Sequence, residues 1–141
     1  MNKNILIVVA NYYKDISDGL HKGAIEILKK NNFNYDTVYV PGAFEVSLAI
    51  KHFIKKNKYD GYIALGCIVK GKTYHFNLIS NECIRSINSL ILEYIKPIGF
   101  GILTCNNIKE AIIRSTKGKN NKGKEAALAC IKMVNLLSPK K

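Results

Sequence analysis

Residues 5–10 read Ile5-Leu6-Ile7-Val8-Val9-Ala10, a continuous apolar run that is rich in β-branched side chains. A strand with one face in water alternates between polar and apolar residues, whereas a parallel strand that is covered on both faces is apolar throughout. The run is far shorter than the ~18 residues of a membrane span, and no small-residue cleavage site follows it. It therefore predicts a strand that is buried on both faces.

A helix is predicted directly after this strand, because Ile16, Leu20 and Ala24 recur at the spacing of one helix face. We expect Asp15 or Ser17 to cap its first turn. The same alternation continues along the chain, where three more apolar segments are each followed by a helical pattern. These predicted strands are Tyr35 to Val40, Tyr62 to Val69 and Pro97 to Thr104.

Strands that alternate with helices predict an α/β fold with right-handed crossovers. We expect a three-layer αβα sandwich around a four-stranded parallel sheet in the flavodoxin-like order 2-1-3-4, formed by one domain that spans residues 1–141. Ligands of such sheets bind at the carboxyl ends of the strands, where the strand order reverses. Candidate site residues are therefore expected in the loops after Ala10, Val40, Val69 and Thr104.

The chain has 22 Lys and Arg residues against 10 Asp and Glu residues, which gives a formal net charge of +12. Such a balance favours an anionic partner: a nucleic acid, a membrane surface or a phosphorylated small molecule. Only Arg85 and Arg114 are arginines, although nucleic-acid sites usually depend on the arginine fork. A surplus of Lys, Asn and Ile is more typical of a genome-wide compositional bias, so we expect neither nucleic acid nor membrane as a partner.

The cysteines form no CxxC pair, and the histidines have no metal-ligand spacing. Each cysteine lies in or beside a predicted strand or helix, which indicates small buried side chains in a reducing compartment. We therefore expect a cytoplasmic protein without a metal site. The residues concerned are Cys67, Cys83, Cys105, Cys130, His21, His52 and His75.

Aromatic and acidic residues follow the first two predicted strands. Tyr12 and Tyr13 could present a stacking face to a planar heterocycle, or one ring could simply cover the edge of the core. After Pro41 and Gly42, Glu45 could accept hydrogen bonds from a polyol or an amine, or could only stabilise the start of the next helix. The residue types alone leave both choices open.

A glycine-containing loop follows the third strand and leads to the N-terminus of a helix, a geometry that favours anion binding. Thr73 can add a hydroxyl, and Lys70 or Lys72 a positive charge, but the spacing is not that of an ATP-binding loop. His75 begins the helix and suits proton transfer near neutral pH, with a plain surface role as the alternative. Arg114 suits a phosphate contact or else a surface ion pair.

Four stretches of the chain together resemble one family, the lumazine synthases (6,7-dimethyl-8-ribityllumazine synthases). The shared motifs are VPGAFE, a G-x-T-x-H loop with the strand before it, the strand PIGFGILT, and NKG, in the same order and at the same spacing. The resemblance extends from Ile5 to Leu137. The stretches are Val40 to Glu45, Ala64 to Phe76, Pro97 to Thr104 and Asn121 to Ala127.

The resemblance implies a reaction and an assembly. Members of this family condense 5-amino-6-(D-ribitylamino)uracil with 3,4-dihydroxy-2-butanone 4-phosphate. The products are 6,7-dimethyl-8-ribityllumazine, phosphate and water, in the penultimate step of riboflavin biosynthesis. The resemblance implies no metal and no organic cofactor. It also implies a homo-oligomer, either a pentamer or pentamers assembled into an icosahedral shell, with the active site between adjacent subunits.

By matching position, the resemblance assigns one group of residues to the pyrimidine and its ribityl chain. Tyr12 would stack on the ring, and His75 would transfer protons. The residues that would hold the ring and the ribityl chain or line the site are Ala43, Phe44, Glu45, Cys67, Ile68 and Val69.

A second group would bind the phosphate or complete the site from across the subunit boundary. Lys72 and Thr73 would place N–H groups near the phosphate, and Arg114 would bind it. Phe100 and Lys122 would join Arg114 in completing the site from across the subunit boundary, with Lys122 close to the substrate.

The chain also departs from the family's usual pattern. Tyr13 stands where the family usually has Asn, Lys70 where it usually has Arg, and Ser115-Thr116 where Ala-Gly is frequent. Two other functions stay open on the same fold. One is a basic protein that binds RNA or another polyanion, and the other is a relative that binds lumazine or flavin without making it.

Overall fold

Each apolar run of the sequence forms a strand, and each helix-spaced segment forms a helix after it. The computed structural model describes residues 2–139, and within them no helix is long and apolar enough to cross a bilayer. The strands are β1 (Asn4–Ala10), β2 (Asn34–Val40), β3 (Gly61–Val69) and β4 (Ile98–Cys105). The helices are α1 (Lys14–Lys30), α2 (Val46–Lys56), α3 (His75–Tyr94), α4 (Ile108–Ser115) and α5 (Lys122–Leu137), with a 3₁₀ turn (Ala43–Glu45) before α2.

The four strands are parallel and lie in the order β2-β1-β3-β4. Val8 of β1 pairs with Val38 on one side and with Ala64 on the other, so β1 lies inside the sheet. The α/β class and the predicted order 2-1-3-4 are therefore confirmed. The chain moves outward from β1 to β2 and then returns to β3 on the other side. The strand order thus reverses at β1, and the carboxyl ends of β1 and β3 flank the position where ligands of such sheets bind.

Helices cover β1 on both faces, as its apolar run predicts. Ile5, Ile7 and Val9 pack in one core with residues of α1 and α5, whereas Leu6 and Val8 pack in a second core with residues of α2 and α3. All five side chains are fully buried. Since successive side chains of a strand point to opposite faces, two cores on one strand make the sheet the middle layer of three.

The backbone of α1 comes into direct contact with the end of α4 and with the start of α5. A Cβ atom at Gly19 would overlap the carbonyl oxygen of Ser115, and one at Gly123 would overlap that of Leu20. Only glycine allows so close an approach of two backbones. The contact brings the end of α4 and the start of α5 onto the first turns of α1.

The prediction that Asp15 or Ser17 caps α1 is wrong. The helix begins at Lys14, directly after Tyr13, and no side chain caps its first turn. Ser17 is fully buried, and its hydroxyl donates a hydrogen bond of 2.6 Å to the carbonyl oxygen of Ala10. The hydroxyl is therefore used to join the helix to the preceding strand, which a pattern of caps does not anticipate.

Candidate active site

A cavity of about 410 Å³ opens at the carboxyl edge of the sheet, between the ends of β1, β2 and β3. It is formed by the turn after β1, the 3₁₀ turn after β2, the last residues of β3 and the first turns of α3. This is the edge that the strand pattern indicates. The lining residues are Tyr12, Tyr13, Gly42, Ala43, Phe44, Glu45, Cys67, Ile68, Val69, His75 and Ile79.

Two tyrosines form the wall that follows β1. Their rings meet edge to face, with centroids 5.0 Å apart and ring planes at 76°. Tyr12 is 75% exposed, so its ring can cover a flat ligand, whereas Tyr13 is half-buried. Burial raises the pKa of the Tyr13 phenol, and the neighbouring Tyr12 and Cys67 raise it further. Tyr13 therefore contributes a neutral hydroxyl to the wall.

The 3₁₀ turn forms the wall that follows β2. The amide of Glu45 donates to the carbonyl oxygen of Gly42 at 3.2 Å, which closes the turn. The Glu45 carboxylate bends back over Gly42, because a Cβ atom there would lie 3.3 Å from its Oε1. Phe44 is 64% exposed at the cavity. No side chain caps α2, so the Glu45 carboxylate is not used as a cap and remains available to ligand hydroxyl or amine groups.

The end of β3 forms the floor of the cavity through Cys67, Ile68 and Val69. Cys67 is buried, and this burial raises the pKa of its thiol to about 12, with the adjacent Cys105 thiol adding to the shift. Because the thiolate is the reactive form of cysteine, a thiol with such a pKa is a poor nucleophile at neutral pH. Cys67 therefore forms part of the floor of the cavity.

A backbone hydrogen bond to the end of β4 holds the first residue of the loop between β3 and α3. The amide of Lys70 donates to the carbonyl oxygen of Cys105 at 2.9 Å, which extends the β3–β4 pairing by one residue. Lys72 and Thr73 are exposed beside the cavity without lining it, and Thr73 Oγ1 accepts a hydrogen bond of 3.3 Å from the amide of His75. The dipole of α3 places partial positive charge at this end, which favours an anion.

The first turn of α3 adds an imidazole to the cavity. His75 is the first residue of the helix and is exposed, and Ile79 lines the cavity one turn later. Residues i and i+4 share one helix face, so the spacing from His75 was the signal that could have identified Ile79. Gly42 also lines the cavity, although the sequence pattern indicated it only as a turn residue. Its place in the lining follows from the path of the 3₁₀ turn.

Besides Lys72 and Thr73, three further predicted site residues do not line this cavity. Phe100 is half-buried on β4 and packs against the core on the α2 and α3 face. Arg114 is exposed in the last turn of α4, and Lys122 begins α5. Burial raises the pKa of the Cys105 thiol, and the Arg114 guanidinium opposes that rise. A single chain therefore brings the ring-binding candidates together but leaves the two candidate cations elsewhere.

The assembled groups suit polar organic chemistry. One imidazole, one carboxylate and a tyrosine hydroxyl surround an apolar floor, so the cavity can hold a planar heterocycle and move protons. Over residues 2–139, no three or more His, Cys, Asp and Glu side chains are grouped so that they could hold a metal ion.

Comparison with known proteins shows the family to which the chain belongs. The family model described as 6,7-dimethyl-8-ribityllumazine synthase matches residues 2–138. Proteins of that name are 43% identical in Bartonella bacilliformis (96% of this chain and 91% of the relative) and 44% identical in Bartonella tribocorum (94% and 89%). One from Blochmanniella pennsylvanica is 40% identical (94% and 87%). The chain therefore belongs to the 6,7-dimethyl-8-ribityllumazine synthase family, transferases that carry out the lumazine-forming condensation of riboflavin biosynthesis.

Proposed function

We propose that the cavity binds 5-amino-6-(D-ribitylamino)uracil with its ring beside Tyr12 and Phe44. The ribityl hydroxyls then lie within reach of Glu45 and of the backbone of Ala43. The observation that carries this assignment is that one cavity joins an exposed aromatic face, a carboxylate and an imidazole. Its volume of about 410 Å³ falls within the range of small-molecule sites, roughly 300–1,000 Å³.

The second substrate, 3,4-dihydroxy-2-butanone 4-phosphate, is proposed to place its phosphate at the loop that carries Lys72 and Thr73. The first-turn N–H groups of α3 and the dipole of that helix favour the phosphate charge there. His75 lies between this loop and the ring-binding wall, which is where protons must move. Two substrates in one cavity also bring the reacting amine and ketone together.

The proposed chemistry needs one proton shuttle. The 5-amino group of the uracil adds to the ketone, and loss of water leaves an imine. A proton then leaves the adjacent carbon, and phosphate departs as its C–O bond breaks. The enol that remains takes up a proton at its terminal carbon and becomes a methyl ketone. The ribitylamino nitrogen attacks this ketone carbon and closes the second ring with loss of water. His75 is proposed to carry the protons between these steps, and holding both substrates in register contributes on the order of 7–11 kcal/mol to lowering the barrier.

We further propose that a neighbouring copy completes the site, in a homopentamer alone or in an icosahedral shell. Phe100, Arg114 and Lys122 lie outside the chain's own cavity, and Arg114 and Lys122 of a neighbouring copy would add positive charge at the phosphate to that of Lys72. The apolar side chains of Tyr12 and Phe44 are exposed at the cavity, as expected of a surface that a partner covers. A contact between two different patches of identical chains gives a ring when the rotation between neighbours closes, as it would in a pentamer.

The experiment is a coupled measurement on the purified protein. Both substrates together should yield the fluorescent lumazine and phosphate in equal amounts, faster than the same mixture without protein. Each substrate alone serves as the control. Product formation that stays at the uncatalysed rate would refute the assignment, and would favour a relative that only binds lumazine or flavin. Sedimentation of the same sample separates a monomer, a pentamer and a shell by mass.

The polyanion-binding alternative is not favoured, because the family match accounts for the motifs that the charge of +12 leaves unexplained. We also propose that residues 1–141 form one domain, since a single sheet carries all the helices of the described part of the chain. A cytoplasmic location is proposed on the ground that the four cysteines are free and buried, as is usual in a reducing compartment.

A further inference from the structure

We propose that Asn121 is a positioning residue that holds Arg114 and Lys122 in one fixed arrangement for the phosphate of the substrate. The inference rests on the proposed function, in which these two cations serve the phosphate end of the site. Asn121 itself touches neither the cavity nor the substrate. Its effect is on where α4 ends and where α5 begins.

The side-chain amide of Asn121 is buried, and both its nitrogen and its oxygen make hydrogen bonds. The two hydrogens of its Nδ2 serve three carbonyl oxygens, those of Gly19 at 3.0 Å, Ser115 at 3.1 Å and Thr116 at 3.0 Å, so at least one hydrogen is shared between two acceptors. Its Oδ1 accepts from the amides of Gly123 at 2.8 Å and Lys124 at 3.2 Å. Because carbonyls surround one end of the amide and N–H groups the other, the orientation of the side chain is fixed by its neighbours. Asn121 is 3% exposed.

The partners of Asn121 are the immediate neighbours of both cations. Ser115 directly follows Arg114 in the last turn of α4, and Gly123 directly follows Lys122 in the first turn of α5. The side chain of Asn121 therefore forms a hydrogen bond to the backbone beside each cation. Its bond to Gly19 connects the end of α4 and the start of α5 to α1. A shift of this amide would move Arg114 and Lys122 relative to each other.

The surroundings leave no space for this amide to move. A Cβ atom at Gly23 would overlap Oδ1 of Asn121, so α1 lies directly against the amide. An aspartate would keep an acceptor for Gly123 and Lys124 but would lose the donor, and its second oxygen would face three carbonyl oxygens. Asn121→Asp therefore keeps the start of α5 while releasing the end of α4 that carries Arg114.

A purely structural role and a positioning role predict different kinetics. If Asn121 positions the cations, Asn121→Asp raises the KM for 3,4-dihydroxy-2-butanone 4-phosphate by about tenfold or more, because misplacement of a charged partner weakens its bonds. The KM for the ribitylaminouracil changes by less than about twofold. In an Arg114→Ala background, Asn121→Asp causes much less further increase, since the cation it positions is absent.

The matched control is Val134→Ala. Val134 is buried on α5 at the opposite end of the helix, so its truncation lowers stability without reaching the phosphate end. We expect both KM values to stay within about twofold of the wild type in this variant. Asn121→Ser, which keeps a hydroxyl acceptor at the same cap, replaces Asn121→Asp if the latter does not fold.

The outcomes separate this inference from the proposed function. A wild-type protein that makes no lumazine overturns both. An active wild type with unchanged KM for the phosphorylated substrate in folded Asn121→Asp or Asn121→Ser overturns the positioning role alone. The positioning role is also overturned if Asn121→Asp raises the two KM values equally. It is overturned as well if Asn121→Asp raises the KM for the phosphorylated substrate as much in the Arg114→Ala background as in the wild type.

Discussion

The hydroxyl of Ser17 donates a hydrogen bond of 2.6 Å to the carbonyl oxygen of Ala10, and both groups are buried. Ala10 is the last residue of β1, and Ser17 lies in the first turn of α1. The bond therefore spans the turn that presents Tyr12 and Tyr13 to the cavity. A contact within the core thus sets the position of one wall of the active site.

Removal of this hydroxyl should destabilise the protein. Ser17→Ala leaves the buried carbonyl of Ala10 without its donor, which we expect to lower the free energy of unfolding by about 1–2 kcal/mol. Urea unfolding at one fixed protein concentration measures the change. Ser89 is the matched control, because its hydroxyl also donates to a backbone carbonyl oxygen, that of Arg85, but on an exposed helix face. Ser89→Ala should change stability by less than about 0.5 kcal/mol, and an equal effect of the two variants would contradict the prediction.

His75 should affect turnover more than binding. We expect His75→Ala to lower kcat by on the order of 10²-fold, because proton transfer by a positioned side chain contributes at least that much, while both KM values change little. Steady-state kinetics with each substrate varied in turn measures the split. His52→Ala is the control, since His52 is also an exposed histidine but lies on α2 away from this cavity. A kcat within about twofold of the wild type in His75→Ala would remove His75 from the proposed chemistry.

Arg114 should affect the phosphorylated substrate selectively. We expect Arg114→Ala to raise the KM for 3,4-dihydroxy-2-butanone 4-phosphate by about tenfold or more, because a charge-assisted bidentate contact is lost. Arg114→Lys should recover only part of the affinity, since lysine lacks the planar fork. The other arginine supplies the control: Arg85 is exposed and paired with Glu82 on α3. An Arg85→Ala variant with the same loss would show that net charge, and not position, determines the affinity.

The buried thiols should make the protein less stable in alkali. Burial raises the pKa of Cys67 and Cys130 to about 12 and that of Cys83 to about 11, against an ordinary value of 9.0. Above pH 9 the unfolded chain loses these protons while the native state keeps them, so ionisation stabilises the unfolded chain and stability falls as pH rises. Each thiol contributes at most about 1.4 kcal/mol per pH unit.

Urea unfolding at pH 8, 9 and 10 tests this dependence. The midpoint should be nearly constant below pH 9 and should fall above it. The Cys130→Ala variant should show a shallower fall than the wild type, even if its stability at pH 8 is lower. A midpoint that is flat up to pH 10 would be incompatible with thiols that stay protonated in the native state.

The fold could be predicted from the sequence because its signal is local. The run from Ile5 to Ala10 is apolar at every position, and only a strand covered on both faces requires this pattern. The role of Ser17 could not be predicted in the same way. A serine near a helix start suggests a cap. Only the folded structure shows that the hydroxyl of Ser17 instead donates to the carbonyl oxygen of Ala10.

Some residues of the candidate site could be predicted from the strand pattern, and others could not. Tyr12, Glu45 and His75 each follow a strand directly, so the convergence of parallel strand ends at one edge places them together. Arg114 and Lys122 belong to later elements, and strand ends give no information about their distance from the cavity. The resemblance to the family implied that they come from across a subunit boundary, and the folded chain places both outside its own cavity.

The contact between α1 and α5 limits how far this active site can be transplanted. The NKG motif reads like a portable loop, but Gly123 fits only against the backbone of Leu20, and Asn121 finds one of its acceptors at Gly19. A designer who grafts the phosphate end onto another scaffold must therefore import the glycine-lined face of α1 with it. The smallest transferable unit is the start of α5 together with the face of α1 that it packs against, not a loop of three residues.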